Sequence, residues 1–428
     1  MAPTLSPRAI ALDLLAALLD RGRLLDELLE DRRLAGLEER DRAFVRRLLA
    51  CTLRRLGQID ALIEACLDRP LAPSATRVAH VLRLGVCQVQ FLDLAPHAAI
   101  STSVELVKHT ALAGFAGLIN AVLRRVLREG ATLVAAQDVA RLNTPDWLWR
   151  SWTTCYGEET ARAIALAHLT EAPIDLTVAS DPESWASQLD AEILPTGSLR
   201  RAAGGLVSRL PGFESGAWWV QDAAAALPAR LFGTARGQRI ADLCAAPGGK
   251  ALQLAAAGAE VTAVDRSAVR LERLAANLTR LNLSARVVVA DAAAWSPSET
   301  FDGVLLDAPC SATGTLRRHP DVARHKSPGD VTRLAAAQAR LLEAATALVA
   351  PGGLLVYCVC SLEVEEGLEQ IERLLASGAP LERVAIHPDE IGGMGELITP
   401  AGDLRTLPLH LADKGGMDAF FAARLRRL

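Results

Sequence analysis

Aromatic side chains make up only 4% of this 428-residue chain, and Lys is rarer still beside an abundance of Arg and Ala. That pattern matches a high-GC coding bias and carries no functional information. Long apolar runs are also missing. Arg8, Asp13, Asp20 and Arg21 interrupt the first hydrophobic stretch, which excludes a signal peptide or spanning helix there and predicts a cytoplasmic protein. The eight Cys are scattered, without C-x-x-C pairs at zinc-site spacing, so neither disulfides nor a structural metal are expected. A strong positive charge is lacking as well: the net charge of −4 argues against a protein coated in nucleic acid over its whole surface. The basic groups are unevenly spread, with 18 Lys+Arg against 16 Asp+Glu in residues 1–140 and an acidic remainder. Arg pairs at Arg32–Arg33, Arg46–Arg47, Arg54–Arg55 and Arg124–Arg125 fit either solvated helix faces or RNA contacts.

What is present is a chain long enough for two or three domains, half hydrophobic, so that each can bury a core. From Ser6 to about Ala135 apolar residues recur at helical spacing, as at Ala9-Ile10, Leu14-Leu15 and Leu18-Leu19, then Val81, Leu84 and Val89. Breaks at Pro70, Pro73, Pro96 and Gly130 divide this stretch into several amphipathic helices, and an all-α domain is predicted over residues 1–135. Residues 136–234 read as a small α/β connector broken by Pro145, Pro173, Pro182, Pro195 and Pro211. Over residues 235–428, β-rich runs at Arg239–Leu243, Val261–Val264, Arg286–Ala290, Val304–Leu306 and Leu354–Val359 alternate with helical stretches such as Ala268–Leu281 and Val331–Leu348. Alternation of this kind predicts a doubly wound, mostly parallel Rossmann-like sheet, whose ligands lie beyond the carboxyl ends of the strands.

The chemistry-bearing residues fall at those ends. The first run leads into Cys244-Ala245-Ala246-Pro247-Gly248-Gly249-Lys250 and then a helix, where small side chains let a cofactor approach the backbone amides. A phosphate loop would need Gly at Cys244 and Ser or Thr at Ala251, so a nucleoside triphosphate is disfavoured. Asp265 ends the second run, about twenty residues on, where an acid commonly accepts hydrogen bonds from a ribose diol. Asp291 follows the third run, placed to contact an adenine amine. Either Asp alone reads as a helix cap; together after one small-residue loop they point to an adenosyl pocket.

The fourth run ends in Asp307-Ala308-Pro309-Cys310-Ser311 and the fifth in Cys358-Val359-Cys360-Ser361. Cys51, Cys66, Cys87, Cys155 and Cys358 are assigned to the ordinary class of small buried hydrophobes. Cys310 and Cys360, at adjacent strand ends beside a carboxylate, suit covalent catalysis on a pyrimidine. Carbon 5 of cytosine is a poor nucleophile until a thiolate adds at carbon 6, and that addition is helped by an acid at ring nitrogen 3, a role open to Asp307.

These segments resemble the motifs of the Nol/Nop/Sun family of RNA 5-cytosine methyltransferases. Gln221-Asp222, Arg317-Arg318-His319-Pro320-Asp321 and Gly416-Met417-Asp418-Ala419-Phe420-Phe421 are similar to further family segments. Asp41-Arg42-Ala43, Leu82-Arg83-Leu84-Gly85 and Asn120-Ala121-Val122-Leu123-Arg124-Arg125 resemble a NusB-like helical domain. The resemblance covers nearly the whole chain and implies an S-adenosyl-L-methionine-dependent enzyme acting on RNA, with 16S ribosomal RNA of the small subunit as substrate; the alternative readings are methylation of tRNA by the same chemistry and a non-catalytic RNA-binding assembly factor. It implies donor contacts from Cys244–Lys250, Asp265, Asp291 and Asp307, with Cys360 as nucleophile and Cys310 in product release. The chain departs from the family pattern at Val359, usually Thr, at Gly367, commonly Asn, and at Thr177-Val178-Ala179, usually Arg-Val-Asn.

Overall fold

The computed structural model describes residues 6–428, which divide into two compact units: the chain up to Leu169 together with His319–His325, and Thr170–Arg318 together with Lys326–Leu428. Among the described residues no helix is long and apolar enough to cross a membrane.

The first unit is helical. Its opening helix, Pro7–Arg21, starts where the Ser6 hydroxyl accepts the Ala9 N–H, has Pro at its first position, and stops at Gly22 with φ of 66°. Leu14, Leu15 and Leu18 on its inner face join Val45, Leu48 and Leu49 of Glu39–Arg54 and Val78, Val81 and Leu82 of Thr76–Gln90 in one core. Gly85 lets two helices close on Thr76–Gln90, since a Cβ there would lie 2.8 Å from the Leu123 methyls and 3.2 Å from the Ser103 hydroxyl.

The helical unit extends beyond residue 135. Helices Val139–Asn143, Asp146–Tyr156 and Glu158–Ala167 group with it, whereas the sequence reading placed 136–169 in the connector. A polar clasp accounts for the difference. Asn143 Oδ1 accepts the Gln58 N–H at 3.1 Å while its amide nitrogen donates to Gln58 Oε1 at 3.0 Å, and Gln137 exchanges hydrogen bonds with the same Gln58. The Leu142 carbonyl lies so close to Gly57 that a Cβ there would sit 1.8 Å from its oxygen. The proline-rich spacing of that stretch gave no sign of such contacts. His319–His325 also belongs to this unit, where Asp321 accepts the Leu25 N–H at 2.9 Å and Arg324 donates to the Asn143 carbonyl at 3.2 Å.

The second unit contains two sheets. Strands β1 (Ile174–Val178), β2 (Glu192–Ile193), β3 (Leu199–Arg201) and β4 (Trp218–Val220) pair antiparallel in the order β2-β3-β1-β4. Leu176, Leu199 and Trp218 pack there with Leu189 from helix Pro182–Leu189. The larger sheet comprises β5 (Arg239–Leu243), β6 (Glu260–Asp265), β7 (Arg286–Val289), β8 (Phe301–Asp307), β9 (Val349–Val359), β10 (Leu381–Arg383), β11 (Leu404–Arg405) and β12 (Phe421–Arg427). Its order is β10-β12-β9-β8-β5-β6-β7, with β11 on β12. The run from β9 to β7 is parallel, as expected. β12 lies antiparallel between β9 and β10, an insertion that the run of motifs did not reveal. Val304, Leu305 and Leu306 on β8 and Leu355, Val356 and Tyr357 on β9 are all fully buried, the continuous apolar pattern of strands covered on both faces.

Buried charges join the small sheet to the loops of the larger one. Arg200 forks onto Asp175 at 2.7 Å through two nitrogens, Arg318 reaches Asp222 at 2.5 Å and Asp418 at 3.2 Å, and Arg317 reaches Asp418 at 3.4 Å. Burial alone would raise Asp222, but Arg318 and Arg317 outweigh it and hold its carboxyl below the usual range. Removing one member of such a set strands a buried charge and is costly, although the intact set adds little net stability.

Gly57→Ala is expected to lower the stability of the helical unit by about 1–3 kcal/mol, the usual range for forcing extra atoms into a packed contact. Gly36→Ala, whose Cβ would meet nothing closer than 3.7 Å, serves as the control. Thermal melts followed by circular dichroism compare the two; equal melting curves would show that the Gly57 contact is not tight.

Candidate active site

The carboxyl ends of β5, β6, β8 and β9 converge on one group of side chains. Beyond β5 the chain turns sharply: Cys244 has φ of 61° and Gly248 of 112°, and a Cβ at Gly248 would lie 2.2 Å from a Leu274 methyl. Ala245 and Ala246 are buried, and helix Gly249–Ala256 begins directly after the turn. Asp265, at the end of β6, accepts the Ala246 N–H at 3.2 Å and the Ser267 N–H at 2.8 Å, so it ties this turn to the next strand. Asp291 is exposed beyond β7 and accepts the Ala293 N–H at 3.0 Å, a local turn contact.

Lys250 points back under the sheet end. Its ammonium lies 2.7 Å from Asp307 Oδ2 and 5.0 Å from the Phe420 ring centre. Burial works against the charge, yet Asp307 outweighs it and lifts Lys250 above the ordinary lysine range. Cys358 donates to the other Asp307 oxygen at 3.5 Å, and burial followed by the Asp307 charge pushes that thiol well up. The expectation that Cys358 is buried holds, with a hydrogen bond that its assignment as a plain hydrophobe did not include. Cys51 and Cys155, assigned to the same class, are partly exposed; Cys66 and Cys87 are buried. Cys244 is pushed up to about 12 by burial and then by Asp307 and Asp265.

Cys310 and Cys360 sit together with their sulfurs 3.4 Å apart. The hydrogen bond to Cys360, then burial, raises Cys310 far above the usual thiol range. Asp307 opposes Cys358 in the β8–β9 register, so Cys310 and Cys360 lie three and two residues beyond the same rung. All eight cysteines are free, and among the described residues no group of three or more His, Cys, Asp or Glu is placed to hold a metal ion.

Two buried acids at the site are not marked out by the sequence reading. Asp242 on β5 is 1% exposed and neither carboxylate oxygen has a hydrogen-bond partner; burial, then the Asp307 charge, raises it well above the carboxylate range. An acid among the buried apolar residues Ile240, Ala241 and Leu243 was the available signal. Glu366 is fully buried behind the two thiols, and in the sequence it is one of a short run of acids with nothing to set it apart. Gly367, a departure from the family pattern, has a local reason: a Cβ there would lie 2.8 Å from Arg405 Nη2, and Arg405 uses the space to donate to the Ser361 carbonyl at 2.6 Å.

A profile of the family described as 16S rRNA methyltransferase RsmB/F matches residues 230–426, and the NusB family matches residues 5–128. The ribosomal RNA small subunit methyltransferase B of Xylella fastidiosa (strain Temecula1) is 37% identical over 99% of both chains. That of Cronobacter sakazakii is 34% identical, again over 99% of both. The chain belongs to the RsmB/F family. As a member it is an S-adenosyl-L-methionine-dependent RNA methyltransferase with a NusB-like helical region before a mixed-sheet methyltransferase domain. Among solved structures, PH0851 superposes with a TM-score of 0.76 at 21% identity over 99% of both chains. NSun6 from Pyrococcus horikoshii, determined with SFG, does so with a TM-score of 0.57 at 19% identity, covering 66% of this chain and 98% of that one. Both share the fold of this RsmB/F member.

Asp242 generates a stability prediction. Its folded value lies above its unfolded one, so relative to acid pH the fold loses stability as pH rises from the ordinary carboxylate range through the raised value. Asp242→Asn is expected to melt higher than the parent at pH 7–8, by a few degrees for each kcal/mol relieved, with no advantage below about pH 4. A melting series across pH tests this, and a gain at acid pH would contradict the assignment.

Proposed function

We propose that this protein methylates carbon 5 of a cytosine in 16S ribosomal RNA through a covalent adduct on Cys360, and that it does so in the cytoplasm, where that RNA is made. The observation that carries the reading is the pair of thiols 3.4 Å apart beside Asp307. Methylation of an exocyclic amine would require neither thiol, since that nitrogen attacks directly.

The residues present fit the methyl donor. Asp242 is a buried carboxylate with both oxygens unpartnered, suited to a cationic group, and the turn at Cys244–Lys250 keeps bulk away from its backbone. Cys244, Ala245, Ala246, Pro247, Gly248, Gly249 and Lys250 would form the wall, with Asp265, Asp291 and Asp307 as acceptors. When bound, S-adenosyl-L-methionine supplies an electrophilic methyl on a sulfonium.

The chain's own residues supply the rest. Cys310, raised far above the usual thiol range by its hydrogen bond to Cys360 and by burial, keeps its own proton, and Cys360 is the sulfur we assign to the attack. The Cys360 thiolate forms a bond to carbon 6 of the cytosine, and the ring electrons move toward nitrogen 3 and carbon 5. As charge develops at nitrogen 3, Asp307 passes it a proton relayed from the Lys250 ammonium, which lies 2.7 Å from Asp307 Oδ2. After carbon 5 is methylated, its proton leaves to a base and the Cys360–carbon 6 bond breaks, restoring the ring; Cys310 acts in this release. The helical unit contributes RNA affinity through its Arg residues, so binding should weaken with salt.

Cys360→Ser is expected to abolish methylation and to form no adduct, because a serine hydroxyl is far less ionised than a thiol. Cys310→Ser should methylate but release slowly, leaving a donor-dependent RNA–protein band on a denaturing gel. The reverse pattern would exchange the two roles, and adducts in neither would end the covalent reading. Bisulfite sequencing of 16S RNA from cells with and without the protein locates the methylated cytosine.

Asp265→Ala should weaken S-adenosyl-L-methionine binding by about 1–3 kcal/mol, the usual loss of a desolvated acceptor. Titration calorimetry measures it; unchanged affinity would remove Asp265 from the donor site.

A further inference from the structure

Each of the paired cysteines is followed by a serine, and both serines are fully buried. Their hydroxyls turn inward onto one side chain. Ser311 Oγ donates to Glu366 Oε2 at 2.5 Å and Ser361 Oγ donates to the same oxygen at 2.6 Å. The other oxygen accepts the Ser311 N–H at 2.8 Å and the Gln338 amide at 3.3 Å. Gln338 also donates to the Pro309 carbonyl at 2.9 Å, one residue before Cys310. The Glu366 carbonyl in turn accepts the Tyr357 hydroxyl at 2.6 Å, which fixes the acid to β9 itself.

Hydrogen accounting makes the carboxylate the necessary group. Each serine has one hydroxyl proton, and both protons go to Oε2, so the 3.1 Å approach of the two serine oxygens has no proton left to bridge it. Ser361 Oγ is already used as acceptor by the Glu363 N–H at 3.1 Å. A pure acceptor with two oxygens satisfies all four donors at once. A glutamine would direct its NH2 either at the Ser311 N–H and Gln338 or at both hydroxyls, and each orientation forces part of the set to turn or stay unpaired.

We infer that Glu366 is a positioning residue that clamps the Cys310 and Cys360 loops together and so sets the 3.4 Å spacing of their sulfurs. It hydrogen-bonds to neither thiol; its charge contributes to raising Cys310, but the spacing of the two sulfurs is set through its bonds to Ser311 and Ser361. Its importance to methylation rests on the two-thiol reading above, but the spacing itself does not.

The test separates the two. Diamide takes two electrons and two protons from a pair of adjacent thiols, forming one S–S bond while its own N=N becomes a hydrazine, so the rate of Cys310–Cys360 closure measures their juxtaposition without any substrate. Closure is followed by peptide mapping in the parent, Glu366→Gln, Glu366→Asp and Ser361→Ala. Closure in Glu366→Gln is expected to slow about 10- to 100-fold, the scale on which small misplacements of reacting groups act. Ser361→Ala should slow it less. kcat for methylation should fall in parallel, with S-adenosyl-L-methionine affinity unchanged. Closure at the parental rate in folded Glu366→Gln would overturn the inference. If that variant does not fold, parental closure in folded Glu366→Asp and Ser361→Ala overturns it equally. Slowed closure with undiminished methylation would uphold the clamp and count against the two-thiol mechanism.

Discussion

Strands β8 and β9 pair in parallel with Asp307 opposite Cys358, and the register of those two buried strands decides what can meet at the end of the sheet. Side chains alternate across a strand, so a slip of one residue would turn Asp307 away from Lys250 and carry Cys360 to the opposite face. The apolar core on both faces of β8 and β9 penalises such a slip, because every buried Leu and Val would change sides with it. Position at the site is thus inherited from packing in the interior.

The buried charges between the two sheets of the second unit are paired with one another. The cluster of Asp175, Arg200, Asp222, Arg317, Arg318 and Asp418 explains three of the segments that marked the family resemblance: they meet as one buried network between the two sheets of the second unit. Arg318 has its charge state reinforced there, since Asp222 and Asp418 outweigh the burial that opposes it. Asp242 differs in kind, because nothing in the chain satisfies its oxygens. A carboxylate in that position carries a desolvation cost, and burial with the neighbouring Asp307 charge raises it well above the usual carboxylate range.

The sequence made the five parallel strands, the small-residue turn and the two thiols legible because each depends on local pattern: alternation of runs, compact residues before a helix, cysteines at strand ends. The close approach of Cys310 to Cys360 followed from placing them on neighbouring strands. Glu366 stayed hidden because its partners come from three separate segments, around Ser311, Gln338 and Ser361, and no periodicity links them. β12 was missed for a similar reason, since Phe421–Arg427 alternates no more clearly than a loop does until β9 is known to lie beside it. The extension of the helical unit past residue 135 depended on Gln58 and Asn143, 85 residues apart.

The placement of His319–His325 in the helical unit has a consequence for the order in which the protein matures. Helical bundles rich in neighbouring contacts form rapidly, whereas sheets that join distant segments, as β5 joins β8, form slowly. By that rule the first unit should collapse early on the nascent chain. Yet the amide of Leu25 and the carbonyl of Asn143 find their partners in Asp321 and Arg324, which leave the ribosome some 300 and 180 residues later. The unit that starts first is therefore finished late, and a chaperone meeting the half-made chain would see a bundle with a vacant seam.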